Sequence, residues 1–165
     1  MRGEYIRRLW PPRSRARFGL SAQFRLARRI LTAVDGSEES LRAARYAMEL
    51  AELTGASVVA IHVILLPQKV SDAVQKRLKE DLASRGERAL DGARQTAKDR
   101  GVGLEVKTLE TNTSVVAAIC ETASDEKADL IVLGTRGTGG VAKLMLGSVA
   151  GGVANNARCP VLVIR

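Results

Sequence analysis

From residue 29 onward, short β-branched segments alternate with longer helical segments, and this alternation limits the possible folds more than any other feature. One of the apolar segments, residues 57–66, is nearly continuous, which is typical of a strand covered on both faces. Strands that alternate with helices predict a parallel sheet with helices on both faces. The five predicted strands are RILTAV (29–34), SVVAIHVILL (57–66), GLEVKTLE (103–110), ADLIVLG (128–134) and PVLVIR (160–165).

Polar residues and glycines mark where the predicted helices begin and end. Ser37 is predicted to cap the first helix, and Gly55 is predicted to close it. A long second helix is expected to end at Arg100. Asn112 or Thr113 is predicted to cap the third helix, and a short fourth helix precedes the last strand. The interpretation is one domain with an α/β fold.

The basic character of the chain is confined to its beginning. Residues 1–29 contain nine arginines and one glutamate, a net of +8 that equals the net charge of the whole chain. We expect residues 1–27 to form a basic, disordered extension and residues 28–165 to form the domain. The alternatives are an arm that contacts nucleic acid or an acidic membrane surface, and a targeting segment.

Cysteine content and hydropathy suggest where the protein works. No apolar run approaches the roughly 20 residues that a transmembrane helix needs. Cys120 and Cys159 are far apart in the sequence and do not form a CxxC pair. We expect both thiols to be reduced and the protein to be cytoplasmic.

Seven glycines lie within the nineteen residues GTRGTGGVAKLMLGSVAGG (134–152). The segment lacks GK[ST], so it is not a Walker A loop, and it does not open a helix as a GxGxxG turn does. If the strand order is 3-2-1-4-5, the loop after Gly134 faces the loop Asp35-Gly36-Ser37 across the crevice where ligands bind in such sheets. Gly147 and Ser148 then open a helix whose N-terminus can hold an anion.

The spacing G-x2-G-x9-G-S, formed here by Gly134, Gly137, Gly147 and Ser148, resembles the ATP-binding signature of the universal stress protein family. The resemblance also covers ILTAVDGSEES, VVAIHV, LGSVA and CPVLVIR, and it extends over residues 28–165. It implies a Rossmann-like, open, parallel five-stranded sheet of order 3-2-1-4-5, with helices on both faces. It further implies a homodimer that binds ATP together with Mg²⁺ or Mn²⁺ held mainly through the phosphates.

The resemblance assigns roles to individual positions. Asp35 matches the acidic residue near the nucleoside, and Val63 matches the residue whose backbone meets the adenine. The positions on the ribose and phosphate side are Gly134, Arg136, Gly137, Gly147, Ser148 and Val149. Many ATP-binding members carry a hydroxyl residue where this chain has Ala150, so one phosphate contact is expected to be missing.

The same residues also have simpler interpretations. Asp35 can be only a turn residue, Gly147-Ser148 only a helix start, and Arg136 only a solvated cation. His62 is the only histidine of the chain, and its apolar surroundings favour a place in the core. No Ser-His-Asp set is therefore available, and the scarcity of acid–base groups favours binding over turnover.

Three functions follow from these patterns. The first is an ATP-binding stress-response regulator with at most slow hydrolysis, and the second is a nucleotide-free interaction module that uses the fold to dimerise. The third is an adaptor that acts through its basic extension. The apolar strand 160–165 is predicted to lie at the sheet edge and to pair with a second copy through Val161 and Val163.

Overall fold

The computed structural model describes residues 27–69, 71–137 and 146–165. The predicted extension up to residue 26 and much of the glycine-rich segment, residues 138–145, lie outside the described residues. The described elements alternate strand and helix along the chain. They are β1 (Arg29–Ala33), α1 (Glu38–Thr54), β2 (Ser57–Leu65), α2 (Asp72–Arg100), β3 (Leu104–Thr111), α3 (Val115–Asp125), β4 (Leu130–Gly134), α4 (Ser148–Asn156) and β5 (Val161–Ile164).

The five strands form one parallel sheet of order β3-β2-β1-β4-β5. This confirms the predicted fold class and strand order. β1 is the central strand, with β2 on one side and β4 on the other. The direction of winding reverses between these two neighbours, so the switch point of the sheet lies at the carboxyl ends of β1 and β4.

Two apolar cores cover the two faces of the sheet. The first core joins α1 and α2 to sheet residues such as Ile30, Val58 and Val132. The second joins α3 and α4 to sheet residues such as Leu31 and Ile131. Burial on both faces explains why the central strands read as continuous apolar runs in the sequence. Ala27, the first described residue, is already buried in the first core.

The observed cap residues match the predicted ones at α1 but not at α3. The Ser37 side chain accepts a hydrogen bond from the Ser40 N–H, and Gly55 closes α1 in the left-handed conformation, as predicted. The prediction of Asn112 or Thr113 as the cap of α3 is wrong. Ser114 is the cap, and its hydroxyl accepts a hydrogen bond from the Ala117 N–H.

The reason for the difference lies in the length of β3. β2 and β3 stay paired as far as Leu65 and Thr111, so the chain reaches its turn later than the sequence pattern indicates. The Thr113 N–H donates to the Thr111 hydroxyl oxygen within that turn. Ser114 is therefore the first residue that can cap α3.

None of the helices in the described ranges is both long and apolar enough to cross a membrane.

Candidate functional site

The switch point brings the two predicted loops together. β1 ends at Ala33 and leads to α1 on the first face, whereas β4 ends at Gly134 and leads to α4 on the second face. The two loops therefore leave neighbouring strands in opposite directions and frame a crevice between them. This is the position at which open parallel sheets bind ligands.

Asp35 connects the two loops. One carboxylate oxygen, Oδ1, accepts hydrogen bonds from the Ser37 N–H at 3.0 Å and the Ser37 hydroxyl at 2.6 Å. The other oxygen, Oδ2, lies against Gly137, where an added Cβ would be only 2.2 Å from it. The Asp35 side chain is thus held by its own loop and directed across the crevice. Any substitution at Gly137 would displace it.

Val63 lies near the end of β2, the strand next to β1. Ala33 pairs with Ile61, and the Val34 N–H donates to the Ile61 carbonyl at 2.8 Å. Asp35 follows Ala33 by two residues just beyond β1, and Val63 follows Ile61 by two residues within β2. Both positions to which the resemblance assigns the nucleoside therefore lie at the same end of the sheet.

Gly134 and Gly147 are required by the packing of the protein itself. A Cβ on Gly134 would lie 2.7 Å from the Glu39 backbone carbon and 2.9 Å from the Ser40 backbone nitrogen. A Cβ on Gly147 would lie 2.8 Å from the Thr135 carbonyl oxygen, to which the Gly147 N–H also donates. The glycine spacing thus allows α1 to pack on the end of β4 and closes the base of the loop. A larger residue at Gly134 would disturb the fold as well as any bound ligand.

The N-terminus of α4 faces the crevice with backbone donors. Gly147 is its N-cap, and the first intrahelical bond runs from the Gly151 N–H to the Gly147 carbonyl. The N–H groups of Ser148, Val149 and Ala150 precede that bond, so they have no acceptor within the helix. Ser148 and Val149 are exposed, and the first turn of α4 contains no acidic residue. Its N-terminus can therefore attract an anion.

Arg136 forms an ion pair with Glu39. Its guanidinium lies 3.3 Å from a carboxylate oxygen of Glu39, in the first turn of α1, and the two side chains are 35% and 26% exposed. The family resemblance points to Arg136 but not to Glu39, because an acidic residue after a cap is sufficiently explained by the helix dipole. No local signal links two residues this far apart in the chain.

His62 is buried in the first core, as its apolar surroundings predict. Its Nδ1 lies 2.7 Å from the Val34 carbonyl oxygen, and since a carbonyl only accepts, Nδ1 must carry the proton. The ring packs against Gly86 of α2, where a Cβ would be 2.2 Å from the His62 Cδ2. His62 thus ties α2 to the residue that precedes Asp35. Its Nε2 has no hydrogen-bond partner within the described part of the chain.

The described geometry defines an α/β protein whose parallel sheet presents, at its switch point, an acidic loop opposite a helix N-terminus. The model of the universal stress protein family matches residues 27–165, so the chain belongs to that family. A universal stress protein of Methanocaldococcus jannaschii is 38% identical over 144 residues, which cover 85% of this chain and 83% of the relative.

Two solved structures of similar fold contain nucleotides. One is a universal stress protein in complex with cAMP; it is 27% identical, has a TM-score of 0.65, and the match covers 84% of this chain and 97% of that one. The other is the universal stress protein from Archaeoglobus fulgidus in complex with dAMP. It is 26% identical, has a TM-score of 0.66, and the match covers 84% of this chain and 98% of that one. Some proteins of this fold therefore bind adenine nucleotides.

Proposed function

We propose that this protein binds ATP in the crevice between Asp35 and the N-terminus of α4, and that it acts as a stress-response regulator with at most slow hydrolysis. The observation that carries the proposal is the contact of Asp35 with Gly137, in the same loop whose Thr135 carbonyl accepts from Gly147, the N-cap of α4. One end of the crevice offers a carboxylate suited to ribose hydroxyls. The other offers backbone N–H groups and the positive end of a helix dipole, which suit phosphates.

The two nucleotide complexes of similar fold support an adenine nucleotide as the ligand. In the proposed arrangement, Asp35 and Val63 receive the nucleoside, Gly134, Arg136 and Gly137 border the ribose and phosphates, and Gly147, Ser148 and Val149 cradle the phosphate chain. His62 is buried and donates to Val34, so it is not placed to act on a phosphate. Binding rather than turnover is therefore the function that these residues support.

The residues near the crevice fit a divalent cation only when the nucleotide is bound. The described ranges contain no group of three or more histidine, cysteine, aspartate or glutamate side chains that could hold a metal ion. Mg²⁺ is commonly held by one or two carboxylates together with substrate phosphates. We therefore propose that Mg²⁺ or Mn²⁺ enters with ATP and is held mainly by its phosphate oxygens.

The test is isothermal titration of the full chain with ATP and Mg²⁺. Because the Ser148 hydroxyl is expected to meet a charged phosphate, Ser148→Ala should weaken binding by roughly 1–3 kcal/mol. Ser124→Ala is the matched control, since that hydroxyl is exposed and, among the residues that the structure describes, bonds only to the Cys120 carbonyl within α3. A wild type without measurable ATP binding would refute the proposal. Equal affinities in the wild type and both variants would leave Ser148 as a plain helix start.

A second candidate function, a nucleotide-free module that dimerises, is favoured by the edge strand β5. The Pro160 carbonyl accepts a hydrogen bond from Ile131 of β4, and the Ile164 carbonyl accepts one from Thr135, the residue directly after β4. Since backbone groups alternate along a strand, the N–H and C=O groups of Val161 and Val163 point away from the sheet. We propose that a second copy pairs there, whether or not the protein binds a nucleotide. Both cysteines are free thiols, which supports our proposal that the protein works in the cytoplasm.

A further inference from the structure

We propose that Glu39 sets how much phosphate charge the nucleotide site accepts. Its carboxylate pairs with Arg136 and places a negative charge beside the phosphate side of the crevice, so it weakens the binding of nucleotides in proportion to their charge. This inference rests on the proposed nucleotide site. It concerns selectivity among adenine nucleotides, which the position of the site alone does not determine.

The position of Glu39 is determined by backbone packing. Its peptide group lies against Gly134, so closely that a Cβ on that glycine would be 2.8 Å from the Glu39 carbonyl oxygen. The next residue, Ser40, is buried and its hydroxyl donates to the Ser37 carbonyl. Glu39 therefore lies in the first turn of α1, directly against the end of β4. From there its side chain reaches Arg136, two residues beyond Gly134.

Arg136 has one ion-pair partner within the described ranges, and that partner is Glu39. The pair is partly exposed and has a single contact of 3.3 Å, so it is weak enough to exchange for a phosphate. A bound phosphate must compete with Glu39 for the guanidinium. It must also approach the Glu39 charge, and Coulomb repulsion grows with each additional negative charge on the ligand.

The two helix N-termini at the crevice differ in the negative charge of their first turns. The first turn of α1 carries Glu38 and Glu39, whereas the first turn of α4 carries no acidic residue. The positive end of the α1 dipole is thus already compensated by side chains. This asymmetry directs phosphates to α4 and leaves Glu39 as an opposing charge at the other side of the crevice.

The test compares Glu39→Gln with Glu38→Gln in the full chain. Both changes remove one charge from the same turn of α1, but Glu38 is exposed and has no ion pair in the described part of the chain. We expect Glu39→Gln to raise the affinity for ATP about three- to tenfold in EDTA, less for ADP and least for AMP. Adding Mg²⁺ neutralises part of the phosphate charge, so the gain for ATP should shrink.

The titrations separate the inference from the proposed function. If the wild type and Glu39→Gln both bind no adenine nucleotide, the proposed function and this inference are both wrong. If the wild type binds nucleotide but Glu39→Gln shows no gain for ATP, or a gain equal for ATP and AMP, only the inference is overturned. An equal gain in Glu38→Gln would also overturn it, because the effect would then belong to the helix and not to the pair.

Discussion

At the scale of single residues, Gly86 and Gly92 show how differently two glycines of one helix can be constrained. Both lie in α2, and both look like weak points in the sequence of a long helix. A Cβ on Gly86 would be 2.2 Å from the His62 ring, whereas the nearest heavy atom to a Cβ on Gly92 is a Leu41 methyl at 3.9 Å. The first glycine is a packing requirement, and the second is only a cost in backbone entropy.

We therefore predict opposite effects for two alanine substitutions. Gly86→Ala should lower the free energy of unfolding by about 2 kcal/mol, because the buried His62 ring cannot move without losing its bond to Val34. Gly92→Ala should leave it unchanged or raise it by up to about 1 kcal/mol. Urea denaturation measures both. A stabilised Gly86→Ala variant would mean that the ring has room to move.

At the scale of elements, four charged side chains join β1, β3 and the end of α3. Glu126, at the end of α3, contacts both Arg29 of β1 and Lys107 of β3. Glu105 of β3 contacts the same two cations at 2.8 and 3.0 Å. The cluster lies at the start of the strands that flank β2. Because each carboxylate meets two cations, the set acts as a network rather than as isolated surface pairs.

The network makes stability depend on pH in a defined direction. The Lys107 ammonium and the Arg29 guanidinium hold the pKa of Glu126 below its ordinary value of 4.5. A carboxyl whose folded pKa is lowered stabilises the fold above its unfolded pKa, and this contribution is lost as the pH falls through the folded pKa. The stabilisation is therefore complete near neutral pH, begins to decline near the ordinary pKa of 4.5 and is lost once the pH falls below the lowered pKa of the folded protein.

We predict that Glu126→Gln lowers the free energy of unfolding by about 1 kcal/mol near neutral pH. The difference from the wild type should vanish in acid, since the wild-type carboxyl is then protonated. Glu121→Gln is the control, because Glu121 is exposed on α3 and takes no part in the ion pairs of the described residues. A difference that persists unchanged in acid would show that Glu126 contributes by packing and not by charge.

At the scale of the whole molecule, the sheet ends at β5, which pairs with β4 alone among the described strands. The outward N–H of Val163 can donate to a second copy without any loss of bonding to β4. We predict that wild-type protein is a homodimer at micromolar concentration and that Val163→Pro is a monomer, because proline removes that donor and adds a steric block.

Light scattering measures this outcome. Val163→Thr is the matched control, since it keeps the N–H and a β-branched side chain and should remain dimeric. Nucleotide titration of the Val163→Pro monomer then shows whether the crevice works without a partner. A monomeric wild type, or a dimeric Val163→Pro variant, would contradict the pairing through β5.

Across these scales, the sequence predicted features that depend on neighbouring residues. Ser37 and Gly55 bound α1 as expected, because caps act within one turn of the chain. The strand order, by contrast, was expected from the resemblance to the universal stress protein family, and the sheet confirms it. The cap of α3 was misplaced at Asn112 or Thr113, because β2 determines how far β3 extends.

The sequence by itself determined the elements, the two-sided burial of the sheet and the glycine spacing that carries the family resemblance, because periodicity and turn chemistry are local. Only the tertiary structure shows why those glycines are needed, and only the tertiary structure determines which charges meet at the crevice. Gly134 lies against α1, and Arg136 pairs with Glu39. Such contacts join residues about a hundred positions apart, and they exist only after the parallel sheet has brought the ends of β1 and β4 side by side.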